Sequence, residues 1–306
     1  MKKIIFSVCI IFSFYACSSE TDSLNEISLQ SSEKTTKINP EVDCVHNQML
    51  LLNNTMFSDY NETRGIRGFF KRFFAIVLSD AIGGMFGSLL GPCGTAAGAI
   101  LASSHAAVVP SNDIHIGANH SQTMYNFSPM NSYDVALTNV VPISGQTLVS
   151  KDDSIGFYHN LILLDLDKQF AGQTFTLDSV ISKTAKYTAE IYNRDYKEIK
   201  VELSTNTNLY KQITSKEMSV ENFDTIHDFI DCWQKLYPEK KDELTLLETY
   251  FNGLINIKVG ENDCEYLSKV LDIISKSNLD STMKDNLRNA FIVGNASYQL
   301  WNARNN

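Results

Sequence analysis

The sequence lacks the short motifs that usually carry chemistry. It has no Cys-x-x-Cys pair, which argues against a zinc ribbon or a dithiol redox centre. No glycine-rich loop closes on Lys-Ser or Lys-Thr, so no phosphate-cradling nucleotide site is visible. Cationic residues are sparse: the formal net charge is −9, and no basic cluster exceeds the one around Lys71-Arg72. Nucleic-acid binding rests on phosphate neutralisation, so an acidic chain of this kind argues against a nucleic-acid partner.

One stretch lacks charge altogether. Residues 83–102, GGMFGSLLGPCGTAAGAILA, contain no Lys, Arg, Asp or Glu, and glycine falls at 83, 84, 87, 91, 94 and 98. Gly83, Gly87 and Gly91 recur every fourth residue, and so do Gly94, Gly98 and Ala102. On a helix that spacing makes one slowly drifting stripe along which another backbone can approach closely. Each interior glycine costs up to ~1 kcal/mol relative to alanine, so such a ladder requires close packing in return. Gly91-Pro92-Cys93-Gly94 divides the two ladders, with Gly91 suited to a helix end and Pro92 to the first turn of the next. The pattern predicts a helical hairpin, about 66–90 and 93–109. Ahead of it, Arg64, Arg67, Lys71 and Arg72 alternate with Phe69, Phe70, Phe73 and Phe74, as on an interfacial helix or on a core helix with a solvated basic edge. Three placements stay open: a hairpin buried in the body, one that enters a bilayer, and one that forms an oligomer interface.

The amino terminus supplies an address. Lys2 and Lys3 precede an apolar run of twelve residues, Ile4 to Tyr15. A membrane-spanning helix needs roughly 20, so residues 1–16 read as a secretory signal. The junction Phe14-Tyr15-Ala16-Cys17 resembles the lipobox of bacterial lipoprotein precursors, which implies cleavage before Cys17 and its lipidation. From Cys17 the formal charge falls to about −11, because Lys2 and Lys3 are lost. Residues 17–40 are polar, Ser/Thr-rich and almost without large apolar side chains, the composition of a flexible tether. Glu20 and Asp22 resemble the acidic surface-export signals of some Bacteroidota lipoproteins. Cys44, Cys93, Cys232 and Cys264 follow; buried thiols are the expected state, and Cys232–Cys264 is the favoured pair if a bridge forms.

The remainder is helical by period. Helices are predicted over 154–168, 176–192, 219–237, 239–257, from Asn262 (capped with Glu265) and from Thr282 (with Asp285). The last carries a stripe of Leu287, Phe291, Gly294, Tyr298 and Trp301. The apolar stripes are wide, as in helices packed on one another. Residues 110–150 hold three prolines and many Asn and Ser, which reads as a long irregular connection. The expected fold is therefore all-α, with a helical unit at 41–109, the connection at 110–150 and a helical bundle at 151–306.

Polar candidates are few. His159 and Asn160 form the one pair that stands out, and His159 shares a helix face with Ile155, Tyr158, Ile162 and Leu166. A satisfied core histidine is the plain reading; a nucleophilic one would need Cys93 nearby. His105, His115 and His120 are spaced by ten and five, which shares no helix face, so no metal site is expected. No cofactor is expected either.

Two resemblances rest on these residues. SDAIGGMFGSLLG and GTAAGAILASSHAA, behind a basic-aromatic start, are similar to the glycine-zipper segments of pore-forming bacteriocins. Together with Gly156-Phe157-Tyr158-His159-Asn160, they also look like uncharacterised Bacteroidota lipoproteins that carry a Gly/Ala-rich stretch. The resemblance implies a segment type and an envelope address, and no reaction. The expectation is a lipid-anchored cell-envelope protein, at the periplasmic or outer face of the outer membrane, non-enzymatic, with a membrane-active protein as the alternative. Its partners would be the membrane, through the lipidated end, and another protein or a second copy through the glycine face.

Overall fold

The computed structural model describes residues 39–57, 69–88, 94–95, 97–100, 155–170, 177–205, 223–257 and 262–303. Cys17, the signal segment and the tether up to residue 38, Gly91, Cys93, Ala102, His105, His115, His120 and the 110–150 connection lie outside the described residues. The described part is 89% helical and contains no strand, so the all-α expectation holds.

The helices are α1 (Pro40–Met56), α2 (Phe69–Gly87), α3 (Ile155–Phe170), α4 (Leu177–Tyr192), α5 (Tyr196–Thr205), α6 (Ile226–Leu236), α7 (Lys241–Leu254), α8 (Asp263–Lys276) and α9 (Ser281–Ala303). Residues 94–95 and 97–100, also helical, belong to the second arm of the glycine segment.

Local chemistry explains most of the boundaries. Asn39 accepts from the Glu41 amide, Pro40 takes the first turn, and Glu41 and Asp43 face the positive end of the α1 dipole. Thr225 and Asp228 form a reciprocal capping box on α6, so that helix starts at Ile226 and residues 223–225 lie outside it. Asn262 stands at the α8 cap without a side-chain bond, contrary to the predicted capping pair. At α9 the cap is Asp280, whose Oδ1 accepts from the Met283 amide at 2.9 Å, two residues ahead of the predicted Thr282–Asp285 pairing. Helix α5 was not predicted. Its signal is short: Asp195 accepts from the Lys197 and Glu198 amides, and only Ile199 and Leu203 are buried. The turn before it places Asn193 at φ 52°, a left-handed conformation that asparagine tolerates.

Two helices form the centre. Ten consecutive residues of α2, Ile76 to Met85, are buried, and so are thirteen of α9, Asn289 to Trp301. A helix buried on every side needs neighbours all round. Among the described helices the α2–α9 contact is the most extensive, followed by α9 on α3. Helices α7 and α8 pack on α9, α1 packs on α7 and α8, and one hydrophobic cluster runs from Val42 through Ile82, Leu163 and Phe251 to Trp301. Helices on both sides of the 110–150 segment therefore share that cluster. Aromatic rings fill its lower part: Tyr250 stacks on Tyr266 (5.4 Å) and on Phe291 (4.5 Å).

Helix α9 is central without being apolar. Asn286, Asn289, Asn295, Ser297 and Gln299 are all buried on it. Each meets a polar group on a neighbour: Asn286 meets Ser88, Asn289 donates to Thr95, Asn295 accepts from Tyr250, Ser297 donates to Asp80 and Gln299 donates to Asp263. A buried amide or hydroxyl without a partner costs on the order of 1–3 kcal/mol, so these pairings fix how α9 is seated.

Candidate functional site

The glycine segment is the first candidate, and its geometry is intramolecular. A Cβ placed on Gly87 would stand 2.8 Å from the carbonyl carbon of Gly94 and overlap its oxygen. One placed on Gly98 would overlap the carbonyl oxygen of Gly83 and stand 3.4 Å from the Gly87 Cα. Gly83, Gly87, Gly94 and Gly98 thus lie backbone against backbone, one arm of the hairpin on the other. Gly84 points elsewhere: its Cβ would make ordinary 3.5 Å contacts with Thr95 and with Val293 of α9. The two arms and α9 form a three-way contact, held by the Asn289 Nδ2 to Thr95 Oγ1 bond at 3.3 Å. Two interior glycines on α2, Gly83 and Gly84, cost about 2 kcal/mol in helix propensity, which the buried contacts of Ile76 to Met85 offset. Among the described residues, no helix is long and apolar enough to cross a membrane.

The second candidate is the polar cluster around His159. On α3, Ile155, Gly156, His159, Asn160, Ile162 and Leu163 make the buried face. Gly156 permits the approach to α9, because a Cβ there would fall 2.7 Å from Ala296 Cβ. Asn160 Nδ2 then donates to the Ala296 carbonyl at 3.0 Å, and Asn160 Oδ1 meets His159 Nδ1 at 2.9 Å. His159 Nε2 faces Asp80 Oδ2 of α2 across 3.6 Å, both side chains fully buried. Ser297 of α9 donates to that same Oδ2. Burial pushes the His159 imidazole down to about 4, outweighing the Asn160 bond that favours its charged form.

Asp, His and Ser in one cluster are the residue types of a hydrolytic triad, but the order of bonding differs. Ser297 gives its proton to the carboxylate and not to the imidazole, and all three side chains are fully buried, Ser297 included. A nucleophile needs a base on its own hydroxyl and a path for substrate. What the cluster can do is tie three helices: α2 through Asp80, α3 through His159 and Asn160, α9 through Ser297 and the Ala296 carbonyl. Residue-level reading found His159 and Asn160 but not Asp80 or Ser297. The available signal was a lone acid, Asp80, inside an apolar run.

A third feature is an open groove of about 850 Å³ between α4 and α5, with Asp178, Lys183, Lys186, Glu190, Arg194 and Tyr196 on its walls. Its charges are of both signs, and Arg194 already pairs with Glu202 at 3.0 Å. That mixture selects no charged ligand class. Cys44, Cys232 and Cys264 are thiols, so the Cys232–Cys264 bridge does not form. Among the described residues, no group of three or more His, Cys, Asp or Glu could hold a metal ion. No protein family matches the chain, and no curated protein or solved structure matches it either.

Proposed function

We propose that this chain is a lipid-anchored cell-envelope protein, tethered through Cys17, whose helical body serves as a non-enzymatic structural or binding module. The observation that carries the reading is the seating of the glycine hairpin. Its two arms close on each other at Gly83, Gly87, Gly94 and Gly98, and α2 is enclosed by α9 and its neighbours. A glycine face already used inside the body supports a core role over a bilayer-entering one. The bonding order of Asp80, His159 and Ser297 supports a non-enzymatic role, since it activates no hydroxyl. The alternative, a membrane-active protein, would draw on the same hairpin after the body opens.

Dye leakage from lipid vesicles tests the choice. The mature chain, with Gly87→Leu and Gly98→Leu variants beside it, is expected to leave vesicles intact, while both substitutions lower the melting midpoint. Leakage by the wild type that either substitution abolishes without unfolding would overturn the core reading in favour of the membrane-active one. Processing tests the anchor: a Cys17→Ser variant is expected to stay uncleaved and to lose the acyl mass found on the wild type.

A further inference from the structure

The chain turns sharply between α4 and α5, and the two helices pack on each other. The Arg194 amide donates to the Ala189 carbonyl at 3.0 Å, Asn193 turns left-handed, and Asp195 caps α5. Ion pairs hold the arrangement: Lys200 reaches back to Asp178 at 3.7 Å, and Arg194 reaches Glu202 at 3.0 Å. The groove of about 850 Å³ between the helices is therefore built into the fold.

Along its α4 wall, Ser182, Lys186 and Glu190 recur every fourth residue, which places them in one row. Counted from Asp178, the row is about 18 Å long at 1.5 Å per residue. Asn193 and Tyr196 continue the lining beyond the helix end. Among the described residues, the side chains of Ser182, Lys186, Glu190, Asn193 and Tyr196 carry no hydrogen bond or ion pair, although all of them line one groove.

We propose that the groove binds an uncharged polyhydroxyl chain, an oligosaccharide, laid along that row with Tyr196 as its stacking surface. A sugar hydroxyl donates one hydrogen and accepts on two lone pairs. The Lys186 ammonium only donates and the Glu190 carboxylate only accepts, so one turn of α4 serves neighbouring hydroxyls in both senses. Ser182 and Asn193 do either. Hydrogen bonds to charged groups are the stronger ones, which suits a ligand with no charge of its own. Tyr196 is 39% exposed, and its ring can cover the apolar face of a sugar ring.

Other ligand classes fit less well. An anion or a cation meets charges of its own sign, because Asp178, Lys186, Glu190 and Arg194 share the walls. A peptide strand needs a sheet edge, and no strand is present among the described residues. An amphipathic helix needs an apolar groove and a proline-rich segment an aromatic-lined one, whereas the apolar lining here is Ala189 and Tyr196. A small molecule needs enclosure, which an open groove does not give; a chain gathers its contacts along the length. The site consists of α4, α5 and their turn, so it depends on neither the glycine hairpin nor the lipid anchor. It gives the binding-module reading a ligand class, and its test leaves the vesicle-leakage result untouched.

The experiment is calorimetric titration of the mature chain with maltohexaose, cellohexaose, laminarihexaose, mannohexaose and xylohexaose. At least one is expected to bind, and more tightly than its disaccharide. Tyr196→Ala and Lys186→Ala are each expected to weaken that binding about tenfold, roughly the loss of one stacking or charged contact. Lys186 is exposed in mid-helix, so its alanine variant keeps the fold and serves even where Tyr196→Ala does not. Absence of heat from all of these sugars overturns the proposal. So does an affinity that neither substitution changes, which places the sugar elsewhere, or one that the disaccharide equals, which removes the chain. Heat from an equally long Gly-Ser peptide, with none from the sugars, marks a peptide groove and overturns it too.

Discussion

Gly98 lies so close to Gly83 that a Cβ on it would overlap the Gly83 carbonyl oxygen and stand 3.2 Å from the carbonyl carbon. The atoms it would strike are backbone, which no rotamer change can move aside. Gly98→Ala must therefore separate the two arms of the hairpin, and Gly87→Ala must do the same against Gly94. Each is expected to cost about 3 kcal/mol or more, measured by denaturant unfolding. Gly84→Ala is the control: its methyl would meet Thr95 and Val293 at 3.5 Å, and the gain in helix propensity is up to about 1 kcal/mol. If all three behave alike, the arms are not in direct backbone contact.

The contrast between Gly84 and Gly87 marks where sequence reasoning stops. Four-residue spacing identified a stripe, and the break at Gly91–Gly94 identified two arms, because both are local properties of a helix. What the stripe touches is a tertiary fact. The same limit applies to α9, where Leu287, Phe291, Gly294, Tyr298 and Trp301 read as its buried face. Asn289, Asn295, Ser297 and Gln299 are buried too, since partners distant in sequence satisfy them. No periodicity can signal that. His159 was legible as a core residue from its apolar face, whereas Asp80 came to it from 79 positions away in the chain.

Tyr266 anchors α1 to the bundle. Its hydroxyl lies 2.8 Å from Asn53 Oδ1 and 3.0 Å from the Tyr250 carbonyl, while Asn53 Nδ2 donates to the Thr249 carbonyl at 3.0 Å. Burial pushes the phenol well above the ordinary tyrosine range, so it remains a donor at any physiological pH. Tyr266→Phe keeps the ring stack on Tyr250 and removes only the donor, at an expected cost of about 1–2 kcal/mol. Gly253→Ala should cost more, because its methyl would displace the same hydroxyl and stand 2.6 Å from the ring carbon that bears it. Thermal melts of both variants check the order; a Gly253→Ala milder than Tyr266→Phe would contradict it.

The cysteines give a chemical test. Cys44, Cys232 and Cys264 are half-buried thiols, with the Gln299 amide 3.5 Å from the Cys264 sulfur. Alkylation of the unfolded but unreduced chain, followed by peptide mass mapping, is expected to label all three. The melting midpoint should be the same with and without reductant, since a native bridge would contribute roughly 2–4 kcal/mol. An unlabelled Cys232 and Cys264 would restore the bridge that their placement on predicted helices in the same half of the chain first suggested.

Two histidines should titrate on opposite sides of the ordinary value, for opposite reasons. His227 is exposed and bonds Glu248 at 2.9 Å; that bond and the carboxylate charge raise its pKa above 6.5. His159 is fully buried, and desolvation lowers it to about 4. Ring-proton spectra against pH are therefore expected to show one midpoint above 6.5 that returns towards it in Glu248→Gln, and another near 4 that Glu248→Gln leaves alone. The signs for stability differ accordingly. His227 favours the fold below its raised midpoint, and that small surface contribution fades as pH rises through it. His159 has a folded value below its unfolded one, so its contribution is complete above ~6.5 and is lost as pH falls through 4, about 3 kcal/mol in all. A His159 midpoint near 6.5 in the folded chain would mean that water reaches the ring, and that α2, α3 and α9 are not closed around it.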